Sequence, residues 1–393
     1  MTEVAAVFLW VFALVAVLFL VRPFTVVLHE LGHGIAALLL SSEKTTLYIG
    51  SYGDPAKSHH LNFGRLEIFF KYDILMWDVG MCLPHHFVSF NKFILIVLAG
   101  PMVSLLFGIS LVYSTIAFEI PGVLKLIFFV CASSAIIDFF NNIIPKSKSI
   151  ELFDGTLTNN DGQTLLNLLR HKSFSKEYSE AFSLLANKDY KAAAEKFKAM
   201  LDGGMQIDYV HRVAIWTSLQ LKDYPMAKEL DKQFREKYEL GANDYVTSGL
   251  IKSRMKAYEE GLCDYNKSLE ITPSNVYALN NRGYTCNVLG RYNDAIVDFD
   301  KVLELDPTFA HSLNNRGFSK IKLGKLEEGY SDIIASLRLD NQNAYAFRNF
   351  GIYHFEKSEF QSALENFEKA AQLDSDIDLL PEYLHATKEK IKS

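Results

Sequence analysis

The chain has 393 residues, 49% of them hydrophobic, with four cysteines and a formal net charge of −6. Residues 1–150 hold nine Lys/Arg and nine Asp/Glu, so the negative excess lies entirely in the remainder, and the lack of any basic surplus excludes nucleic acid as the main partner. Cys82, Cys131, Cys263 and Cys286 are far apart, with no CxxC pair, which excludes a disulfide framework and a cysteine zinc site.

The length suggests two or three domains. Val4 to Val21 carries no charge, Arg22 and Pro23 interrupt, and the apolar pattern resumes to Leu40. The opening "MTEV" lacks the basic region of a cleaved signal, so a retained span over about 4–38 is expected, kinked at Pro23. Splitting it into two spans at Arg22–Pro23 needs a reversal in about two residues, which is too short. Inside this span lies "VVLHELGHGIAALLL", residues 26–40. On a helix, His29 and His33 are one turn apart and face the same way. Two neutral imidazoles at that spacing can take two corners of a tetrahedral Zn²⁺, with Glu30 beside them to accept a proton from water. On a solvated helix the pattern reads as an ordinary charged face; in an apolar span, ionisable residues signal function by default.

The segment 41–92 alternates apolar and polar residues on both sides of "GDPAK", which predicts a β-hairpin over about 46–71. His59/His60 and His85/His86 are adjacent pairs, which point to opposite faces of a strand and make poor chelates; they read as loop residues. Two further spans follow, at about 93–118 and 123–144, joined by the turn "EIPGV". Lys44, Lys57, Arg65, Lys71 and Lys92 lie in the first loop, and Lys146 and Lys148 follow the third span. The positive-inside rule then puts the N-terminus outside and everything after 145 in the cytoplasm.

Beyond about residue 174 a fixed period of 34 appears. Ala193, Ala227, Gly261, Ala295, Gly329 and Ala363 keep this step, and Tyr190, Tyr224, Tyr258, Tyr292, Leu326 and Phe360 precede each by three. Small residues at such positions let two helices of a hairpin approach closely. The stretch resembles the tetratricopeptide family: six repeats over 174–377, then a capping helix in 378–393. "NVYALNNRGYTCNVLGRYNDAIVDFDKVLELDPT" (275–308) is the best copy. Such arrays bind partners along a concave face. Asn281, Asn315 and Asn349 share one repeat position, where the resemblance implies hydrogen bonds to a bound peptide; the alternative is that "NNRG" is merely a favoured repeat sequence.

A zinc site needs a third protein ligand at the cytoplasmic end of another span. The third span ends in "DFFNNIIPKSKSIELFDGTLTNNDGQTLLNLL", residues 138–169. The His-Glu-x-x-His on the first span, "AGP" (Ala99, Gly100, Pro101) on the second, and an Asn-x-x-Pro followed by Asp-Gly together resemble the site-2 protease family of intramembrane zinc metalloproteases. The resemblance covers about 24–169. It implies that the third ligand is an Asp-Gly aspartate, and that Asn142 and Pro145, with Gly100 and Pro101, position substrate. In that family the Asp falls about five residues after the Pro, where this chain has Ile150. Two Asp-Gly pairs follow instead. Asp161 opens a helix with a leucine face, as in the family, and is preferred; Asp154, in what reads as a turn, is the alternative. Asp138, one turn before Asn142 on the same face, is a further option for the third ligand but is read in preference as an interfacial aspartate. Ser104 stands where family members often carry Asn.

The expected fold is therefore mainly α: a polytopic transmembrane zinc-protease core over 1–170 with a small β-hairpin, then an α-solenoid of tetratricopeptide repeats. The resemblance implies cleavage of membrane-spanning protein substrates near the cytoplasmic face, in a bacterial inner membrane, with protein or peptide partners on the repeats. Glu30 is the expected base and the hairpin the expected strand-pairing element for extended substrate. One rival is a membrane-anchored repeat scaffold whose site has decayed. Another is a different membrane zincin with a glutamate as third ligand.

Overall fold

A computed structural model describes residues 3–42, 44–55, 57–77, 79–84 and 88–392, with side chains of the first helix from Leu20 onward. Among the described residues the chain is mainly helical, with seventeen α-helices and six short strands. It divides into two compact units, Met1–Leu240 and Gly241–Ser393.

The first unit opens with α1 (Glu3–Leu40), which runs unbroken through Pro23. There is no reversal at Arg22–Pro23. After the sheet come α2 (Phe90–Ala117) and α3 (Gly122–Ile143). The Leu20–Leu40 stretch of α1 and the whole of α2 and α3 are each long and apolar enough to cross a membrane. Small and hydroxyl residues meet at their contacts, a pattern that lets apolar helices pack closely. Gly32 of α1 sits against the Ala99 carbonyl and Gly100 of α2. Thr25 of α1 and Ser134 of α3 share a buried hydrogen bond of 3.2 Å.

Between α1 and α2 lies a four-stranded sheet in the order β2-β3-β1-β4, with β1 at Thr45–Ile49, β2 at Ser58–Phe63, β3 at Leu66–Lys71 and β4 at Gly80–Pro84. This corrects the expected hairpin over 46–71. The strands flanking "GDPAK", β1 and β2, do not pair with each other. The hairpin is β2–β3, closed by Gly64–Arg65, where Gly64 takes φ 75°, the left-handed geometry that a two-residue hairpin turn needs; "GDPAK" lies in the longer connection between β1 and β2. β1 instead pairs parallel with β3 and antiparallel with β4. Leu47, Ile49 and Ile68 form the buried face, packed with Val27 and Leu31 of α1, so the sheet lies on the helix that carries the histidines. His59 and His60 lie on β2, not in a loop; His60 stacks on Phe69 with ring centroids 4.4 Å apart. His85 and His86 lie outside the described residues.

After α3 the chain makes a small two-stranded excursion, β5 (Ile150–Glu151) and β6 (Leu157–Thr158), and enters α4 (Asp161–Arg170). Two helix hairpins follow in the same unit: α5 (Ser175–Ala186) with α6 (Tyr190–Asp202), and α7 (Asp208–Gln220) with α8 (Tyr224–Lys237). Phe182, Phe197 and Phe234 are buried between them. Tyr178 of α5 meets the buried Phe90 of α2 edge-on at 5.3 Å.

His211 on α7 is 1% exposed. Its Nε2–H donates to the Leu230 carbonyl at 3.0 Å, while Nδ1 has no hydrogen-bond partner. Burial pushes its pKa down to about 4, so the folded chain holds it neutral where the unfolded chain takes a proton. The unfolded state then binds more protons between pH 6.5 and 4. The His211 contribution is therefore complete above pH 6.5 and fades as pH falls through this window, by up to about 1.4 kcal/mol per pH unit. Thermal unfolding at pH 7 and pH 4.5 should show a smaller acid-induced drop in Tm for His211→Gln than for wild type.

The second unit holds four more hairpins: α9 (Ala242–Arg254) with α10 (Tyr258–Ile271), α11 (Val276–Val288) with α12 (Tyr292–Leu305), α13 (Ala310–Lys322) with α14 (Leu326–Leu339), and α15 (Ala344–Glu356) with α16 (Phe360–Leu373). α17 (Leu380–Lys392) packs on α16. The 34-residue period has a packing cause. The Phe299 ring lies on Gly283 and the Phe367 ring on Gly351, where any Cβ would collide. Arg282 bridges to Asp298, and Arg316 to Asp332 and Asp300, repeating one tie between the helices.

Candidate metal centre

Three side chains from two elements converge at the cytoplasmic-side end predicted for the first span. His29 and His33 project from α1, one turn apart; Asp161 is the first residue of α4. His29 Nε2 and His33 Nε2 are 3.1 Å apart, and Asp161 Oδ2 is 3.1 Å from the first and 3.3 Å from the second. Among the described residues this is the group of three that could hold a metal ion.

The back of each ring fixes its tautomer. His33 Nδ1 lies 2.7 Å from the Ile96 carbonyl, an acceptor only, so Nδ1 carries the hydrogen. His29 Nδ1 donates in the same way to Asp138 Oδ2 at 2.9 Å. In the neutral rings both Nε2 atoms are then lone pairs, facing each other and a carboxylate oxygen. Three such atoms at this separation repel unless a cation lies among them. Zinc bonds of 2.0–2.1 Å arranged tetrahedrally place ligand atoms about 3.3–3.4 Å apart, which the triangle of 3.1, 3.1 and 3.3 Å matches closely. The residues present fit a zinc ion.

Glu30 is 6% exposed, and its Oε2 is buried without a hydrogen-bond partner. Its side chain lies against the backbone of Gly80, at the start of β4. A buried carboxylate oxygen left unpaired is costly.

Asp161, preferred over Asp154, is brought to the histidines. Asp154 is exposed in the turn between β5 and β6, where its Oδ1 accepts the Thr156 backbone N–H at 3.0 Å. The long Pro145-to-Asp161 spacing is the β5–β6 excursion. Asn160 brings the chain back: its Nδ2 donates to the carbonyls of Asn142 and Ile144, and its Oδ1 accepts from the backbone N–H of Lys146 and Gln163, the latter capping α4. Gly162 seats α4 on the end of α3, since a Cβ there would overlap the Ile143 carbonyl.

Gly100 and Pro101 are buried in α2. A Cβ on Gly100 would strike the His33 ring, so Gly100→Ala should push the ring out of line and weaken zinc binding at least about tenfold, read by chelator competition. Pro145 is exposed, two residues beyond the end of α3. Asn142 turns inward and donates to the Asp138 carbonyl at 3.1 Å and to its Oδ1 at 3.2 Å.

The reading of Asp138 as an interfacial aspartate is corrected. It is 1% exposed, and besides His29 and Asn142 it receives Arg22 Nη1 at 2.5 Å and Ser104 Oγ at 2.7 Å. Arg22 is thus an interhelical partner as well as an interruption. A carboxylate inside an otherwise apolar span was the signal available for Asp138; Asn160 carried none.

Burial corrects the reading of Asn315 and Asn349 as residues open to a bound peptide; it does not contradict that of Asn281. Asn349 is fully buried, donating to the Asn314 carbonyl and to its Oδ1 at 2.8 Å. Asn315 is 6% exposed and donates to Asn280 Oδ1. Asn281 accepts from Asn280 Nδ2 at 3.2 Å. The amides of Asn315 and Asn349 tie helix to helix, because close packing of successive hairpins buries them, whereas Asn281 is half-buried and bonds within its own helix.

Comparison with known proteins bears on the repeats alone. No curated protein matched the chain. Among solved structures, a tetratricopeptide repeat protein from Parabacteroides merdae is similar at 17% identity and TM-score 0.42, over 55% of this chain and 99% of that one. MamA from Desulfovibrio magneticus RS-1 is similar at 18% and 0.35, over 44% and 97%. The first tetratricopeptide domain of Spaghetti (RPAP3), bound to the HSP90 peptide SRMEEVD, is similar at 20% and 0.27, over 30% and 94%. Residues 276–309 match the family model for the tetratricopeptide repeat, so the chain carries a domain of that kind.

Proposed function

We propose that the chain is a zinc endopeptidase whose site lies among apolar helices, and that its tetratricopeptide domain binds a protein partner. The observation that carries the enzymatic half is the donor triangle of His29, His33 and Asp161, with sides of 3.1, 3.1 and 3.3 Å, beside a buried Glu30 whose Oε2 has no hydrogen-bond partner among the described residues. Zinc held there supplies Lewis acidity, polarising a carbonyl and lowering the pKa of water. Glu30 takes the proton from the attacking water and delivers it to the leaving amine. The hydrogen bonds behind His29 and His33 keep both rings in place while charge develops.

A peptide must present its scissile bond in extended form, because a helix hides its carbonyls. β4 is the edge of the sheet, and among the described residues it pairs with β1 on one side only. Its first residue lies against Glu30. A substrate strand added to that edge runs past the base. This assigns to β4 the pairing role that sequence reading gave to a hairpin.

The second reading is a membrane-anchored repeat scaffold without hydrolytic activity. The family match at 276–309 favours it, since that match speaks for partner binding and is silent on hydrolysis. Elemental analysis of the detergent-purified chain, with cleavage of a reconstituted transmembrane peptide library mapped by mass spectrometry, separates the two. Zinc at about one per chain together with Glu30-dependent cleavage supports the protease. A chain that binds no zinc leaves the scaffold.

A further inference from the structure

We propose that Asp138 is the positioning residue of this metal centre, acting through His29; the proposal rests on the zinc reading above. Three helices deliver five groups to one place: Arg22 and His29 from α1, Ser104 from α2, and Asp138 and Asn142 from α3. The carboxylate is divided evenly among donors. Oδ1 accepts from Arg22 Nη1 at 2.5 Å and Asn142 Nδ2 at 3.2 Å; Oδ2 accepts from His29 Nδ1 at 2.9 Å and Ser104 Oγ at 2.7 Å. With two donors on each oxygen, the plane of the group cannot rotate without breaking a bond. Oδ2 therefore stays aimed at His29 Nδ1, and the opposite nitrogen stays at its corner of the triangle.

The two histidines are supported unequally. Behind His33 is the Ile96 carbonyl, which no substitution at Ile96 removes. Behind His29 is a side chain, held by other side chains. His29 is thus the ligand that a remote substitution can release. The bland alternative is that Asp138 merely balances Arg22 as an interhelical ion pair. Arg22 is on Oδ1 and His29 on Oδ2, so the two roles come apart on substitution.

The test measures zinc affinity of the detergent-purified full chain by chelator competition, with visible absorption of the cobalt-substituted form as a report of ligand geometry. Asp138→Asn removes the acidic half of the Arg22–Asp138 pair; Arg22→Gln with Asp138→Asn removes both charges. Both should bind zinc about 10–100-fold more weakly than wild type and lose cobalt absorption, as removal of such an outer partner does. Ser104→Ala, which removes one donor from Oδ2 and is the mildest to the fold, should weaken zinc severalfold. Restored wild-type affinity in the double variant reduces Asp138 to Arg22's counter-ion and overturns the proposal. So does an Asp138→Asn chain with unchanged affinity. A wild type that binds no zinc overturns the zinc reading itself, whereas a zinc-binding wild type with indifferent variants overturns this proposal alone.

Discussion

Glu30→Gln should abolish peptide-bond cleavage while leaving zinc content at the wild-type level. Gln keeps the shape of the side chain, which is confined against Gly80 and buried at 6% exposure. It cannot accept the proton of an attacking water. General acid–base help contributes typically 10²–10⁴-fold, and the proposed mechanism uses Glu30 twice, so a fall of at least about 10³-fold in cleavage is expected. Glu30 is not among the three converging ligand atoms, so the metal should remain. A Glu30→Gln chain that cleaves at the wild-type rate would remove Glu30 from the mechanism, and one that loses zinc as well would make it a ligand.

Asp161→Ala should empty the site, whereas Asp154→Ala should leave it filled. Removing one of three protein ligands leaves two histidines on a single helix turn, too few to hold zinc against a chelator. Loss of nearly all zinc on size-exclusion of Asp161→Ala, with His33→Ala behaving alike, is the expected result. Asp154 spends its carboxylate on the Thr156 N–H in an exposed turn, so its removal should change zinc content by less than the error of the assay. Retained zinc in Asp161→Ala would transfer the third position to another residue.

Much of this centre could be read from spacing, and the reason is local. His29, Glu30 and His33 lie within one helix turn, where backbone periodicity alone dictates who faces whom. The repeats were legible on the same ground, since one hairpin's close approach recurs every 34 residues. What depended on contacts far apart in sequence was not legible. Asp138 meets Arg22 across 116 residues and His29 across 109, so its reading as an interfacial group followed from its neighbours in the chain and missed its neighbours in space. The strand partners of β1 failed similarly: alternation marks a strand, but a parallel pairing with β3 has no local signature. Asn349 looked available for a ligand because its repeat position was visible and its burial was not.

The excursion between Pro145 and Asp161 bears on how such chains tolerate change. Four hydrogen bonds from Asn160 and the seat of Gly162 fix the start of α4 on the end of α3. The path between these anchors is tied back by its own β5–β6 pairing and by the Phe153 N–H, which donates to the Tyr52 carbonyl at 2.8 Å, while Asp154 at its tip is exposed. Doubling a flexible loop costs only about 0.6 kcal/mol in closure entropy. The address of Asp161 is therefore written in a clasp, not in a count of residues, and the exposed tip at Asp154 is the place where an insertion or a grafted tag can be absorbed without moving the proposed zinc site.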